Sequence, residues 1–332
     1  MENRNDHRDI WVFLEEFEGQ PKQVGCELLG QARRLADEIG QQVGAVIISP
    51  DARAALALAH TYGADLAYVV EGEAYRHFNT DAYCEAFAHL CKLYRPEVIL
   101  VGATANGREL ASHLAVTLEA GLTADCTALS IDPETAVMSW ERPAFGGNLY
   151  ARICAKTHPQ MGTVRPGVMP LPGACPCENM QIIYEDYRPK RVRVRLKEFI
   201  RDIEEAGMSL QDAEVVISGG RGMKGPENFK MLEELAALLG GTVGCSRSVV
   251  EEGWLPASKQ VGQTGSSVSP RIYFACGISG AVQHVAGMDR SDAIVAINQD
   301  PHAPIFDIAD YCIVGDVFEV VPALIEELSP DA

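Results

Sequence analysis

Five short apolar segments between Glu214 and Asp316 each end in a glycine-rich or polar loop. Arg221 stands between two glycines after the first segment, and Ser246 and Arg247 follow the second segment. Guanidinium groups in such loops can hold a phosphate or stabilise a developing negative charge, although an arginine in a loop is more often simply solvated. In open parallel sheets, ligands bind in the crevice outside the carboxyl ends of the strands. The arrangement predicts a site for a large phosphorylated ligand.

The loop after the third apolar segment carries the strongest local pattern. Gly277 and Gly280 leave room for another backbone or a ligand to approach closely. We expect Ser279 to cap a helix that begins at Gly280, whose free amides and dipole suit a phosphate, but a plain tight turn explains the two glycines equally well. His284 falls near the first turn of that helix and can reach the same crevice. The candidate binding residues here are Ser279, Gly280, Ala281, Val282, Gln283 and His284.

A second polar segment, Gln260–Ser267, interrupts a region of otherwise buried strands. It can supply backbone donors together with the amide of Gln263 and the hydroxyl of Thr264, and an ordinary solvent-exposed loop is the alternative. Two glycines so close to two hydrogen-bonding side chains favour a loop that binds a ligand. The candidate residues of this loop are Val261, Gly262, Gln263, Thr264 and Gly265.

Polar residues also end the last two apolar segments. Asn298 follows the fourth segment and Asp316 follows the fifth. Asp316 could accept a hydrogen bond from a ribose or an adenine, or it could cap the final helix, and the spacing leaves both roles open. In the N-terminal half, Gly102–Glu109 is a similar turn from strand to helix. Because it has fewer convergent polar groups, we interpret it as structural or interfacial.

No catalytic or metal-binding constellation is evident in the sequence. It contains no Gly-x-Ser-x-Gly turn, no pair of zinc-ligand motifs and no Walker loop. The one close pair of cysteines, Cys175 and Cys177, lacks the second pair that would complete a metal site. We therefore predict a cofactor-binding protein without a metal site and without a catalytic residue of its own.

Length and composition narrow the class of protein. A chain of 332 residues with 47% hydrophobic and 22% charged residues indicates a globular protein of two domains. The formal net charge of -18 argues against nucleic-acid binding, which needs a basic face. No apolar run approaches the ~18 residues that span a bilayer, and the polar N-terminus resembles neither a secretory signal nor a transit peptide. Because most cysteines lie inside apolar runs, we expect a cytoplasmic protein.

The elements that must position the candidate residues alternate between strand and helix. Up to Leu118, this alternation predicts a parallel sheet that is covered on both faces. After Gly121, strands follow one another without helices, and we expect them to extend the sheet with antiparallel members. The predicted fold class is α/β, with an N-terminal domain at 1–207 and a doubly wound C-terminal domain at 208–332. A helix at Val317–Leu328 closes the second domain.

The region between the two predicted domains gives weaker signals. Pro166–Pro189 contains five prolines, which predict an irregular conformation. Lys190–Leu196 alternates basic and apolar residues, as in a half-exposed strand, and Lys197–Ala206 has the pattern of a helix.

The polar loops resemble those of the alpha subunit of electron-transfer flavoprotein in both order and spacing. The resembling segments are Ser218–Gly222, Gln260–Gly265, Gly277–His284, Asn298–Asp300 and Pro304–Phe306 in the C-terminal domain, and Gly102–Glu109, Gly121–Cys126 and Arg142–Asn148 in the N-terminal domain. The resemblance covers nearly the whole chain and is weakest in Met169–Asp212. It implies a C-terminal domain that binds FAD and an N-terminal domain that contacts the beta subunit of a heterodimer.

The resemblance also implies a role for individual residues. Ser279 and Gly280 would lie at the FAD pyrophosphate. Thr264 would lie near flavin N5, and His284 near a pyrimidine carbonyl. Arg247 would place positive charge beside the isoalloxazine ring, where it favours the negative charge that one-electron reduction adds. The residues implied to contact FAD are Arg221, Ser246, Arg247, Val261, Gly262, Gln263, Thr264, Gly265, Ser279, Gly280, Ala281, Val282, Gln283, His284, Asn298 and Asp316.

The function that the resemblance implies is a carrier of single electrons between flavin dehydrogenases, such as an acyl-CoA dehydrogenase, and other carriers. Ile10–Glu15 and Pro189–Asp212 are similar to longer alpha subunits of electron-bifurcating complexes. Those complexes use NADH and ferredoxin through a second FAD that lies mainly on the beta subunit. Two alternatives remain open. An NAD-dependent oxidoreductase would need an acid/base pair, for which His284 is the one candidate, and a nucleotide-binding regulatory protein would have no redox role.

Overall fold

The computed structural model of the protein describes residues 7–144, 149–194, 196–198, 210 and 213–329. The chain divides into two compact units, Met1–Phe199 and Ile200–Ala332. The predicted boundary at 207/208 and most of the predicted helix Lys197–Ala206 fall outside the described ranges, and both stay predictions. Within those ranges, no helix is long and apolar enough to cross a membrane.

The first unit is built around one large parallel sheet. Its helices are α1 (Gln23–Ile39), α2 (Arg53–Thr61), α3 (Thr80–Tyr94) and α4 (Ala105–Thr117). Its strands are β1 (Arg8–Phe13), β2 (Glu16–Phe17), β3 (Gln20–Pro21), β4 (Val43–Ser49), β5 (Leu66–Glu71), β6 (Pro96–Gly102), β7 (Leu122–Cys126), β8 (Ala128–Ile131), β9 (Met138–Ala144), β10 (Leu149–Ile153), β11 (Gln160–Val164) and β12 (Gln181–Tyr184). Seven of these strands form the sheet, in the order β12-β5-β4-β1-β6-β11-β7.

Alternation along β1 divides the core of the first unit between the two faces of this sheet. Ile10 and Val12 belong to the apolar cluster that includes the buried side of α1. Trp11 and Phe13 belong to the cluster that includes the buried side of α3. None of these four side chains is more than 2% exposed. The predicted parallel sheet, covered on both faces, is confirmed.

The strands that follow Gly121 belong to two different sheets. β7 and β11 join the parallel sheet, whereas β8, β9 and β10 form a separate antiparallel sheet in the order β10-β9-β8. Asp125, inside β7, has a left-handed φ of 60°, and the register between β7 and β11 shifts at this point before the chain leaves the first sheet after Cys126. Trp140 of β9 lies against Gly162 of β11, where a Cβ atom would approach the indole ring to 2.1 Å. The antiparallel strands thus form a second sheet rather than further members of the first.

The segment before the second unit differs from the sequence prediction at two places. Strand β12 lies in the proline-rich segment predicted to be irregular, and it pairs in parallel with β5 at the edge of the sheet. The described residues of Lys190–Leu196 form no strand. The amides of Lys190 and Arg193 instead donate to the carboxylates of Glu85 and Asp81 on α3, at 2.7 and 2.8 Å. The strand prediction was wrong because side-chain acceptors took the place of a neighbouring strand.

The second unit contains one parallel sheet of five strands in the described part of the chain. Its strands are β13 (Val215–Gly219), β14 (Thr242–Cys245), β15 (Ile272–Cys276), β16 (Ala293–Asn298) and β17 (Tyr311–Val314). Its helices are α5 (Phe229–Leu238), α6 (Arg247–Glu251), α7 (Val282–Val285) and α8 (Val317–Leu328). The strand order is β14-β13-β15-β16-β17, and every neighbouring pair is parallel. The doubly wound sheet and its closing helix are confirmed.

Strand β15 shows how the second unit separates its two core faces. Phe274 points into the cluster formed with α5 and α8. Tyr273 and Ala275 point into the opposite cluster, which also contains Val261 and Ile278. Tyr273 is fully buried, so its phenol hydroxyl needs a hydrogen-bond partner within the protein.

Candidate functional site

A cleft of about 540 Å³ opens at the carboxyl ends of β13, β14, β15 and β16. This volume lies within the range of roughly 300–1,000 Å³ that is usual for ligand sites. Most of the predicted site residues line it. They are Arg221, Ser246, Arg247, Val261, Gly262, Gln263, Thr264, Ser279, Ala281, Gln283, His284 and Asn298. The structure therefore brings together loops that lie far apart in the sequence, as the parallel sheet predicted.

Four predicted residues do not line this cleft. Gly265 closes a tight turn by donating its amide to the Gly262 carbonyl at 3.0 Å, and the Val282 side chain is 57% exposed. Gly280 packs against another loop. Asp316 caps α8 by accepting from the Phe318 amide at 3.0 Å, which is one of the two roles that its position allowed. Contact of these four residues with FAD stays a prediction.

The predicted helix start at Gly280 is wrong. The helix α7 begins at Val282, its cap residue is Ala281, and it is only four residues long. Gly280 has a left-handed φ of 90°, and a Cβ atom there would come within 2.3 Å of the Ile305 nitrogen. Ser279 does not cap the helix, and its carbonyl instead accepts from the Ile305 amide at 3.1 Å. The left-handed glycine breaks the helical path that the sequence suggested.

The loop between β15 and α7 nevertheless offers free hydrogen-bond donors to the cleft. In the described part of the chain, the backbone amides of Ser279 and Ala281 donate to no other group. Both residues line the cleft. Backbone amides of one loop that lack an internal acceptor can together hold a phosphate group. The anion site predicted here thus rests on the loop itself rather than on a long helix.

Close backbone contact joins the first and third loops. The Gly222 amide donates to the Gly277 carbonyl at 3.1 Å, and the Gly220 amide donates to the Cys276 carbonyl at 2.9 Å. A Cβ atom on Gly220 would approach the Gly277 oxygen to 2.2 Å. Only glycine fits this contact. The glycines on both sides of Arg221 therefore allow the two loops to pack together at the base of the cleft.

The loop that carries Thr264 is anchored on both sides. The Val261 amide donates to the Cys245 carbonyl at 2.9 Å, and the Gln263 amide donates to the Gln283 carbonyl at 2.7 Å. The Gln260 side-chain amide donates to the Thr264 hydroxyl at 2.9 Å. Gln260 was not among the predicted site residues, yet it also lines the cleft. Its polar side chain, at the start of the segment Gln260–Ser267, was the signal available in the sequence.

His284 presents one hydrogen-bonding atom without a partner. The residue is 6% exposed, and its Nε2 lies 2.9 Å from the hydroxyl of Tyr273. Its Nδ1 is buried near the Val261 backbone and forms no hydrogen bond of acceptable geometry with the described residues. Burial lowers the pKa of His284 to about 4, against a smaller opposing effect of that backbone. The imidazole is therefore neutral at physiological pH.

The two arginines of the site differ in their pairing. The exposed side chain of Arg221 makes no ion pair with any residue in the described ranges. Arg247 donates its Nε to Oε1 of Glu251 at 2.7 Å, and both side chains are more than half exposed. Glu251 also lines the cleft. Sequence reasoning missed Glu251, although its place four residues after Arg247 is typical of a helical ion pair.

A glycine-lined polar cleft at the carboxyl ends of an open parallel sheet defines an α/β domain that binds a nucleotide cofactor. The pattern of the electron transfer flavoprotein domain matches residues 10–183 of this chain. The pattern of the electron transfer flavoprotein FAD-binding domain matches residues 209–289. The chain belongs to the electron transfer flavoprotein family, as one of its alpha subunits, and the predicted cofactor, FAD, is confirmed.

Relatives match over almost the full length of the chain. Electron transfer flavoprotein subunit alpha of Thermoanaerobacterium thermosaccharolyticum is 47% identical over 327 residues, which cover 98% of both chains. Electron transfer flavoprotein subunit alpha of Megasphaera elsdenii is 45% identical over 332 residues, which cover 97% of both chains. Protein FixB of Clostridium saccharobutylicum is 44% identical, and the match covers 98% of this chain and 97% of that protein.

The residues of the cleft fit FAD in both charge and hydrogen bonding. The free amides of Ser279 and Ala281 and the unpaired Arg221 suit a pyrophosphate. The side chains of Thr264 and His284, which also line the cleft, suit the polar edge of a flavin ring. The chain thus contains groups suited to both ends of the cofactor.

Proposed function

We propose that this alpha subunit works as a carrier of single electrons, in a heterodimer with a beta subunit. The observation that carries the proposal is the cleft itself, in which a neutral histidine lies among two arginines and free backbone amides. These groups can hold and tune a cofactor. His284, whose Nε2 contacts the Tyr273 hydroxyl, has a pKa of about 4, which is too low for a general base that works near neutral pH.

Each group in the cleft has one task in this proposal. Bound FAD supplies reversible electron transfer at its ring system. Arg221 and the amides of Ser279 and Ala281 hold the pyrophosphate. Thr264, which Gln260 fixes in place, directs its hydroxyl toward the flavin N5 region. The His284 imidazole lies beside the pyrimidine end of the ring, as the resemblance implies.

The positive charge of Arg247 raises the potential for adding the first electron. A cation beside the ring stabilises added negative charge more than it stabilises the neutral oxidised ring. Glu251 offsets part of that effect, since it pairs with Arg247 at 2.7 Å. A carrier that accepts and releases single electrons needs a first-electron potential that the protein sets through such nearby charges.

The proposed partners follow from the family. The first unit contacts the beta subunit, and an acyl-CoA dehydrogenase or a similar flavoenzyme supplies or receives electrons. The relatives named as alpha subunits support a heterodimer. A bifurcating complex that uses NADH and ferredoxin through a second FAD is the finer form of the proposal, resting on the resemblance of Ile10–Glu15 and Pro189–Asp212. The cysteines in the described ranges are all free, as expected in the cytoplasm.

The proposal is tested on the heterodimer co-purified with its beta subunit. FAD is released, identified and counted per heterodimer, and the complex is then titrated with NADH without oxygen. Two FAD that NADH bleaches support bifurcation. One FAD that NADH leaves unchanged supports a simple carrier fed by dehydrogenases. A folded heterodimer without FAD contradicts the proposal.

A matched pair of variants tests the tuning role of Arg247. Arg247→Gln is expected to lower the first-electron reduction potential, because the cation beside the ring is lost. Arg271→Gln removes another exposed arginine, which precedes β15 at the opposite end of the sheet and pairs with Glu214 at 3.6 Å. This control should leave the potential unchanged. Equal potentials in both variants contradict the role of Arg247.

A further inference from the structure

One side-chain hydrogen bond spans the loop that borders the cleft just before β15. Nε2 of Gln260 donates to the Thr264 hydroxyl at 2.9 Å. Both residues line the cleft. Gln260 is only 9% exposed, whereas Thr264 is an exposed residue. A buried amide therefore supports a hydroxyl that water or a ligand can reach.

The backbone of Gln260 is bonded at both of its polar groups. Its amide donates to the Ala257 carbonyl at 3.1 Å, and its carbonyl accepts from the Ser266 amide at 2.7 Å. A Cβ atom on Gly265 would come within 2.3 Å of the Gln260 backbone oxygen, so the loop can fold back onto this residue because a glycine stands there. The loop thus closes on Gln260, which gives its side chain a fixed base from which to reach Thr264.

The direction of this bond decides what Thr264 offers to a ligand. A hydroxyl has one hydrogen to donate and two lone pairs with which to accept. Gln260 takes one of the lone pairs, and the Thr264 hydroxyl forms no further hydrogen bond with the residues that the structure describes. Its hydrogen is therefore free for a ligand. A hydroxyl that already accepts a hydrogen bond is also polarised by it and becomes a stronger donor.

We propose that Gln260 is a positioning residue for the cofactor: it holds the Thr264 hydroxyl so that the hydroxyl donates its hydrogen to an acceptor atom of the flavin ring. The inference rests on the proposed function, in which Thr264 lies near flavin N5, and it adds a direction to that contact. A hydrogen bond to an acceptor that gains negative charge is roughly twice as strong as one to a neutral acceptor. Gln260 therefore raises the first-electron potential, and it does so through Thr264.

The test is a double-mutant cycle, read as the first-electron reduction potential of the heterodimer with FAD bound. Thr264→Val removes the hydroxyl and should weaken stabilisation of the added electron by about tenfold, or ~59 mV. Gln260→Met removes the amide while keeping the length of the side chain, and it should weaken that stabilisation by about threefold. In the Thr264→Val background, Gln260→Met should lower the potential no further, because its effect passes through the hydroxyl.

The sign of the shift in Gln260→Met tests the direction of the bond. If the side-chain oxygen of Gln260 instead accepted the Thr264 hydrogen, removing it would free that hydrogen for the ring and raise the potential. A raised potential, an unchanged potential, or an equal fall with and without the Thr264 hydroxyl overturns the inference.

A control and a second variant complete the test. Gln181→Met, at an exposed glutamine of β12, should leave the potential as it is. Gln260→Asn keeps the amide on a side chain that is too short to reach Thr264, and it should repeat the fall, which decides the question if Gln260→Met does not fold. Every potential is measured on protein that holds FAD. Failure of the inference is therefore distinct from a folded heterodimer without FAD, which contradicts the proposed function itself.

Discussion

The two units place similar turns from strand to helix at the carboxyl ends of parallel strands, but they complete them differently. In the first unit, the Glu15 carboxylate lies at the start of α4 and accepts from the Thr104 hydroxyl and from the Asn106 amide, the latter at 3.1 Å. Lys22 Nζ lies 2.9 Å from the same carboxylate. In the second unit, the corresponding region keeps free backbone amides and an arginine that makes no ion pair within the described ranges.

This difference teaches where a ligand belongs in a doubly wound sheet. The geometry of strand and turn is shared, so it cannot by itself mark a site. A side chain of the protein already occupies the position of an anion in the first unit. Groups left without a partner in the second unit mark the place that a cofactor completes. Four experiments sharpen or break this comparison.

Gly220→Ala should have the largest effect, because its Cβ would meet the Gly277 oxygen at 2.2 Å and force the two loops apart. Overpacking of this kind costs roughly 1–3 kcal/mol, which corresponds to FAD retention lower by about tenfold or more. The measurement is FAD per purified heterodimer. Gly173→Ala, in the first unit, has open space around the new Cβ and should retain FAD fully. Full retention by both variants would show that contact of the loops does not build the cleft.

His284 should make folding stability depend on pH. Its pKa is about 4 in the folded protein and 6.5 in the unfolded chain, so between these values the unfolded chain binds a proton that the folded one does not. The contribution is fully present above pH 6.5 and is lost as the pH falls toward 4, up to about 3 kcal/mol. Urea unfolding at several pH values measures it. His284→Gln should flatten this part of the profile, and an equally steep profile would contradict the buried, neutral imidazole.

Glu15→Gln should destabilise the first unit without affecting the cofactor. The change leaves Lys22 without its charged partner in a buried network, at a cost of roughly 1–3 kcal/mol in the free energy of unfolding. Denaturant unfolding measures this cost, and FAD content should equal that of the wild type. Glu73→Gln, at an exposed carboxylate paired with Arg76, is the control and should change neither quantity. Loss of FAD in Glu15→Gln alone would mean that the two regions are not independent.

Glu251→Gln should have the smallest effect, a slight rise in the first-electron potential. The carboxylate offsets the charge of Arg247, but both side chains are more than half exposed, so the pair is worth only ~0.2–1 kcal/mol. Potentiometry of the flavin measures the shift. Glu252→Gln changes the neighbouring carboxylate, which does not line the cleft, and should leave the potential as it is. A lower potential in Glu251→Gln would contradict the offset.

Much of this arrangement follows from patterns that the sequence displays openly. The alternation of apolar segments and polar loops predicts the second sheet, the closing helix α8 and most of the residues that line the cleft. The spacing of apolar residues along a segment indicates which of its faces is buried. Polar loops that follow the strands of a parallel sheet must lie together at the carboxyl-end edge of that sheet.

What could not be predicted depends on contacts between distant residues. Gly280 has a left-handed φ and packs closely against the Ile305 backbone. This conformation prevents the helix that Ser279 was expected to cap. The conformation of the segment at Lys190 is set by hydrogen bonds to side chains of α3, and not by its alternation of basic and apolar residues. Tyr273 lies inside an apolar strand. The sequence does not show that its hydroxyl forms a hydrogen bond with His284. The residues next to a position in the sequence do not indicate which distant residues it will contact.

The most direct test of the central claim is an experimental structure of the heterodimer with FAD bound. We expect FAD in the cleft of the second unit, with its pyrophosphate at the amides of Ser279 and Ala281 and its ring beside His284. The turn into α4 should hold only the Glu15 carboxylate. FAD bound elsewhere on this chain, or a second nucleotide in place of Glu15, would contradict the claim that unpartnered groups mark the site.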